Sequence, residues 1–244
     1  TWCDDGWPRF GDDGRVLRQH PAPNLPARPI PKPKPRDDFE QKQLRLEYLL
    51  LRNPQPGSYS LSSRPGYLRL RGLSGSSRDT APQAFVGRRQ TDFSCRCRVM
   101  LEFEPVAISD EAGLVVRNSE AFHYRLVVRR ASLADAGARE AQLWSVIAGK
   151  QRLVRRVAIG LGPVVLEVTA DDRSYQFRAG GTRMLRELGE LSTKKLSSEY
   201  ATKHGNVMCF TGIVIGMYAS GQGQPATAPA DFDWFEYSAI RSPR

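Results

Sequence analysis

Between Phe93 and Phe103 the chain alternates without a break: Phe93, Cys95, Cys97, Val99, Leu101 and Phe103 fall in one phase, Ser94, Arg96, Arg98, Met100 and Glu102 in the other. A helix would need apolar residues three or four apart, so a period of two predicts a half-buried antiparallel strand with the first set inward. The same texture recurs at Tyr67–Arg71, Ala112–Arg117, His123–Arg129, Ala141–Ile147, Arg152–Ile159, Val164–Ala170, Ser174–Ala179, Thr211–Ala219 and Phe232–Ile240. Gly, Pro, Asp and Asn separate most of these segments. Many short strands at near-even spacing predict an all-β chain folded as a two-sheet antiparallel sandwich. With 40% hydrophobic residues among 244, the chain has enough apolar surface for a real core. One segment breaks the pattern. Thr182–Tyr200 carries Leu185, Leu188, Leu191 and Leu196 among Glu and Lys, which predicts a short helix or a long crossing loop.

The alternation starts only after a proline-rich stretch, His20–Arg36, that ends in alternating Pro and Lys. Such a stretch builds neither a helix nor a central strand and reads as an extended linker. We therefore place a linker at 18–36 and the sandwich at 37–241. Ahead of them, residues 1–17 carry Trp2, Trp7 and Phe10 among Asp-Gly turns, like a hairpin detached from its parent sheet. A first residue other than Met suggests a fragment whose natural N-terminus lies upstream. No run of eighteen apolar residues and no leader-like start is present, so no membrane segment is expected.

A net charge of +10 would suit an acidic polymer, but the Arg-Arg pairs at 88–89, 129–130 and 155–156 lie in or beside strands. No basic helix or interleaved aromatic motif accompanies them, so solvated strand faces are expected rather than a nucleic-acid surface. The four cysteines, Cys3, Cys95, Cys97 and Cys209, show no CxxC spacing; Cys95 and Cys97 share one strand face and are read as buried thiols.

Glycoside hydrolysis needs two carboxyl groups facing one another across a concave site. The acidic residues Asp110, Glu111, Asp171 and Asp172 lie in turns, Glu102 and Glu104 on a strand or its end, and no pair stands out, so no catalytic residue is assigned. His20, His123 and His204 lack metal-ligand spacing, and His123 reads as a hydrogen-bonded rim residue. No metal site is assigned and no cofactor is expected. The segment Asp231–Tyr237 carries aromatics on both faces and reads as a closing strand, with Phe232, Trp234 and Glu236 on one side and Phe235 and Tyr237 on the other. Asp233 together with Asp37 or Asp38 could hold a structural Ca2+, since carboxylates suit that ion. Sugars stack on aromatic rings and bond through hydroxyls, which makes Tyr48, Tyr67, Tyr124, Trp144 and Phe210 candidates for contact.

Several strings then occur together and in order: Asp37-Asp38-Phe39, Leu51-Arg52-Asn53-Pro54, Arg64-Pro65-Gly66-Tyr67-Leu68-Arg69-Leu70, Gly87-Arg88-Arg89-Gln90, Glu111-Ala112-Gly113-Leu114, His123-Tyr124, Phe210-Thr211-Gly212 and Ala230-Asp231-Phe232-Asp233. From Asp37 to Ala239 the chain resembles the C-terminal module of glycoside hydrolase family 43 β-xylosidases. The resemblance implies a concanavalin A-like, jelly-roll sandwich of the carbohydrate-binding module family 91 type, with xylan or xylo-oligosaccharide as ligand. It further implies that residues 1–17 end an upstream catalytic propeller, which carries the catalytic carboxylates and is the module's partner. In that family a loop aromatic helps to close the sugar pocket. Phe210 matches that position, and His204 and Asn206 lie on the same approach; with Tyr124 and Trp144 they form the expected carbohydrate-binding set. The stretch Arg129–Ala138 looks longer than is usual in that family.

The expectation is a non-catalytic module of a xylan-degrading β-xylosidase or α-L-arabinofuranosidase, secreted rather than cytoplasmic. The alternative is a purely structural domain that stabilises the propeller or its oligomer without touching sugar.

Overall fold

The computed structural model describes residues 2–9, 11, 14–19, 26, 28, 34–132, 137–205, 210 and 212–240. The chain divides into two compact units, Thr1–Pro33 and Lys34–Arg244. In the first, Trp2 and Pro8 form an antiparallel bridge, with Cys3 N donating to Trp7 O at 2.9 Å and Gly6 N to Cys3 O at 2.9 Å. Gly6 closes that turn at a φ of 82°, which only glycine adopts without cost. Most of the expected linker, like part of the 129–138 stretch, lies outside the described residues.

Among its described residues the second unit is a sandwich of fifteen strands. In chain order they are β1 (Arg36–Asp37), β2 (Leu49–Leu50), β3 (Tyr59–Ser60), β4 (Leu68–Arg71), β5 (Ala84–Arg89), β6 (Cys95–Glu102), β7 (Glu111–Arg117) and β8 (Phe122–Arg130). There follow β9 (Arg139–Ile147), β10 (Lys150–Ile159), β11 (Val164–Ala170), β12 (Ser174–Gly181), β13 (Met184–Ser192), β14 (Val214–Ser220) and β15 (Pro229–Ala239). A 3-10 turn at Thr193–Leu196 and helix α1 (Ser198–Gly205) join β13 to β14. One sheet runs β13-β12-β11-β6-β15-β4-β3, with β1 also paired to β15; the other runs β10-β9-β8-β7-β14-β5-β2. Every strand pairing is antiparallel, as the alternation predicts. No helix among the described residues is long and apolar enough to cross a membrane.

Between the sheets, Cys97, Val99 and Leu101 of β6 meet Leu114 and Val116 of β7, Leu126 of β8 and Phe232 of β15 in one continuous core. Burying such side chains contributes about 1.5–3 kcal/mol each. Cys95 and Cys97 are buried thiols, as expected, and burial raises both above the ordinary thiol range. Edge strand β10 exposes Lys150, Arg152, Arg155 and Arg156, and such charges discourage pairing with a second chain.

Three local readings need correction. Thr182–Tyr200 is neither one helix nor a loop; most of it is β13 and the following turn. A bulge opposite Phe177/Arg178 leaves Leu188 as an extra buried residue, so Leu185 and Leu188 fall out of step with a period of two. The closing strand β15 carries a second bulge. Phe232 faces Leu101 while Trp234 faces Met100, which leaves Asp233 unpaired between them. The extra residue flips the phase: Phe232 points inward before it, Phe235 and Tyr237 inward after it, and Trp234 lies on the outer face beneath Arg36 and Arg98. Finally, strand β6 begins at Cys95, so Phe93 is not part of the inward stripe.

Candidate functional site

At one end of the sandwich β12 begins, β13 ends, and the chain passes through Thr193–Leu196 into α1. Two clefts flank this ridge. The first, of about 420 Å3, is bounded by Gln90, Asp92, Phe93, Asp172, Lys194 and Ile213, among others. The second, of about 490 Å3, includes Tyr124, Ser145, Lys150, Arg152, Glu190 and Lys195. Beneath them Tyr124 and Tyr175 pack edge to face at 6.1 Å and 69°. Tyr175 donates to Gln90 Oε1 at 2.8 Å and Tyr124 to Ser192 O at 2.9 Å, which ties both sheets to the rims of the clefts. Burial raises both phenols above their ordinary range, so they remain protonated donors.

The ridge continues into α1, whose Tyr200 lies edge-on to Phe122 at 6.3 Å and stacks with His204 at 4.0 Å. Gly205 ends the helix against Phe122; a Cβ there would collide with the ring, so the close approach requires glycine. Five residues on, Phe210 is 83% exposed. Of the expected carbohydrate-binding set, Tyr124 and His204 belong to this end of the fold, Tyr124 with its ring buried and lining the second cleft, and Phe210 follows α1 in the chain. Asn206, like Cys209, lies outside the described residues. Trp144 sits elsewhere, on the outer face of the β9–β8–β7 sheet, with its indole N–H donated to Gln142 Oε1 at 2.7 Å and the Arg125 guanidinium 5.4 Å from its ring.

That outer face holds a buried polar network. Arg125 pairs with Glu111 at 3.0 Å and bonds Gln151 at 2.9 Å and Ser77 Oγ at 3.2 Å, while Gln222 donates to Glu111 at 2.6 Å. His123, expected on a rim, is instead fully buried here, with Ser77 Oγ at 2.8 Å from Nε2 and Ser119 O at 3.2 Å from Nδ1. The carbonyl fixes the Nδ1–H tautomer, leaving Nε2 to accept from the serine. Burial, with Arg125 and Arg117 alongside, holds the imidazole well below its usual pKa and therefore neutral.

Many of the carboxylates in the sheets and their connecting turns are engaged in the fold. Asp231 accepts from Arg69 at 2.6 Å and Arg64 at 2.9 Å; burial works against its charge, but the two arginines hold it below the usual carboxylate range. Glu102 pairs with Arg64 at 2.8 Å, Glu167 with Arg98 at 3.3 Å, and Asp37 with Arg45 at 3.2 Å. Asp110 accepts the Ala107 N–H at 3.0 Å and the Thr227 hydroxyl. Asp38 is paired to Arg36, and Asp233 is raised by burial, with Glu102 and Asp38 nearby and Arg36 opposing. Among the described residues no group of three or more His, Cys, Asp or Glu is placed to hold a metal ion.

Sequence reasoning missed Phe93, which is 85% exposed at the rim of the first cleft. Its alternation with Cys95 hid it; the polar run Gln90-Thr91-Asp92 before it was the available signal that the strand starts later.

The pattern of the β-xylosidase C-terminal concanavalin A-like domain matches residues 36–238. A non-reducing end alpha-L-arabinofuranosidase of Bacteroides ovatus is 37% identical over 98% of this chain, which covers 44% of that protein. A xylan 1,3-beta-xylosidase of a Vibrio species is 30% identical over 97% of this chain and 43% of its own length. Among solved structures, a xylan beta-1,4-xylosidase from Bacillus halodurans superposes with a TM-score of 0.84 at 29% identity, over 98% of this chain and 45% of that one. The chain thus spans less than half the length of these relatives.

Proposed function

Since this chain belongs to the β-xylosidase C-terminal concanavalin A-like domain family, we propose that it serves a glycoside hydrolase as a non-catalytic module that binds xylan or xylo-oligosaccharide and helps close the sugar pocket of the catalytic domain. The observation that carries this reading is Phe210: a large apolar ring 83% exposed that follows α1 and its His204 in the chain. An exposed ring on a loop gains by covering another apolar surface, and the flat face of a pyranose is one. The partner is the upstream catalytic propeller, which residues 1–17 would join. Hydrolysis itself is assigned to that domain, because the buried carboxylates described above are committed to arginines and backbone N–H groups.

The test is made in an enzyme that carries this chain behind its catalytic domain. Phe210→Ala is expected to lower kcat/KM on xylobiose by roughly tenfold or more, the loss of one positioning contact. Unchanged kcat/KM would overturn the pocket-closing role. Affinity electrophoresis of the chain on xylan checks the binding half; unretarded mobility, together with a lower melting temperature when the module is deleted from the enzyme, would favour the purely structural reading.

A further inference from the structure

We propose that the cleft beside Phe93 is a sugar subsite, in which one pyranose ring of a xylan chain stacks on the Phe93 ring while Asp172 and Lys194 hydrogen-bond its hydroxyls. This rests on the xylan-binding reading above and gives that reading a place distinct from the pocket-closing Phe210.

In the described part of Lys34–Arg244, Phe93 and Phe210 are the only Phe, Tyr or Trp side chains left exposed. Single exposed apolar residues are ordinary, so exposure alone says little. What sets Phe93 apart is the backbone beneath it. Tyr237 Oη accepts the N–H groups of Thr91 at 2.9 Å and Asp92 at 3.1 Å, and donates to Asp92 Oδ2 at 3.2 Å. Gln90 is held by Tyr175 through its side chain and by Ile213 O through its N–H at 2.9 Å. On the far side Ser94 O accepts the Ile240 N–H at 2.8 Å. The exposed ring is thus mounted on backbone pinned from three directions. A ring held this way loses little freedom when a ligand stacks on it.

The opposite wall is equally fixed. Asp171 Oδ1 accepts the Arg173 and Ser174 N–H groups, both at 2.7 Å, and these bonds hold its carboxyl below the usual range. The turn so formed presents Asp172, whose carbonyl takes the Thr193 hydroxyl at 3.0 Å. Asp172 and Lys194 line the cleft, and neither side chain has a hydrogen bond or ion pair among the described residues. One acceptor and one donor that line, with an exposed ring, a concavity of about 420 Å3 suit a neutral polyhydroxylated ligand. An acidic glycan would meet Asp92, Asp171 and Asp172 as like charges. A protein face of this size would call for a broader apolar core than one ring.

Xylohexaose titrated into the chain by calorimetry provides the test. The unaltered chain is expected to bind; Phe93→Ala should weaken binding at least about tenfold, and Phe93→Trp should keep it within about threefold. Asp172→Ala, which removes no ring and alters no buried contact, should weaken it by about threefold and guards against a folding defect in Phe93→Ala. If the unaltered chain binds and both alanine variants bind as well as it does, the subsite is wrong while xylan binding stands. If the unaltered chain does not bind xylohexaose, both readings fall. If Phe93→Ala leaves affinity intact but lowers the melting temperature of the enzyme with its catalytic domain, the ring is an interdomain contact and the subsite is overturned.

Discussion

The outer face of the β9–β8–β7 sheet and the end cleft beside Phe93 hold opposite kinds of chemistry. The sheet face is the richer in reactive side chains: a buried Glu111–Arg125 pair, a buried histidine, three glutamines and a tryptophan. Nearly all of that capacity is spent within the chain, on Ser77, Gln151, Gln222 and Gln142. The cleft offers fewer groups, yet its ring is exposed and two of its charges have no partner among the described residues. Chemical richness therefore marks what holds this protein together, and leftover capacity marks the place proposed for a ligand.

The comparison breaks most visibly at Arg125. Arg125→Ala leaves the Glu111 carboxylate buried with only Gln222 and the more distant Arg129, at 3.8 Å, to face it. A loss of about 3–5 kcal/mol is expected in denaturant unfolding, with no specific effect on sugar affinity at temperatures where the variant stays folded. A loss below about 1 kcal/mol would mean that the network is not what secures this face.

The second effect is a pH dependence. His123 is held neutral in the folded chain, with its pKa below the 6.5 of a free imidazole. As pH falls below about 6.5 the unfolded chain takes up a proton that the folded one refuses, so stability is present above that pH and lost below it, by up to about 1.4 kcal/mol per pH unit. Unfolding measured from pH 7 to 5 should show this slope, and His123→Asn should flatten it. An equal slope in the variant would assign the effect to the carboxylates instead. The smallest effect is expected at the cleft: Phe93→Ala should change stability by no more than about 0.5 kcal/mol, since the ring packs on little. A larger loss would show that the two regions are not so different.

The fold was legible where a strand buries one face and leaves the other at least partly exposed, as β4 and β6 do. The stripe from Cys95 to Leu101 could be read from alternation alone, whereas Val164–Ala170 is buried on both faces apart from a half-buried Thr169. β7 and β8 are buried on both faces, and their charges lie inside, so sequence placed His123 on a rim when it is enclosed. Bulges hid the rest: Leu188 and Asp233 each add one residue, and a period-two reading that crosses either one assigns everything beyond it to the wrong side. Phe210, proposed to close the sugar pocket, stood out in the Phe-Thr-Gly string, while the exposed Phe93 was hidden because it continues an apolar stripe it does not share. Tyr124 and Trp144 are aromatic for other reasons, the first as core beneath the clefts, the second as the cap of an arginine.

The bulge in β15 makes the last strand more sensitive to residue count than to residue identity. Asp233 could become many other polar residues while Phe235 and Tyr237 stayed inward. Deleting it would turn both rings toward solvent and detach the Tyr237 hydroxyl from Thr91 and Asp92, so one codon in the closing strand sets the footing of the cleft at the far end of that strand.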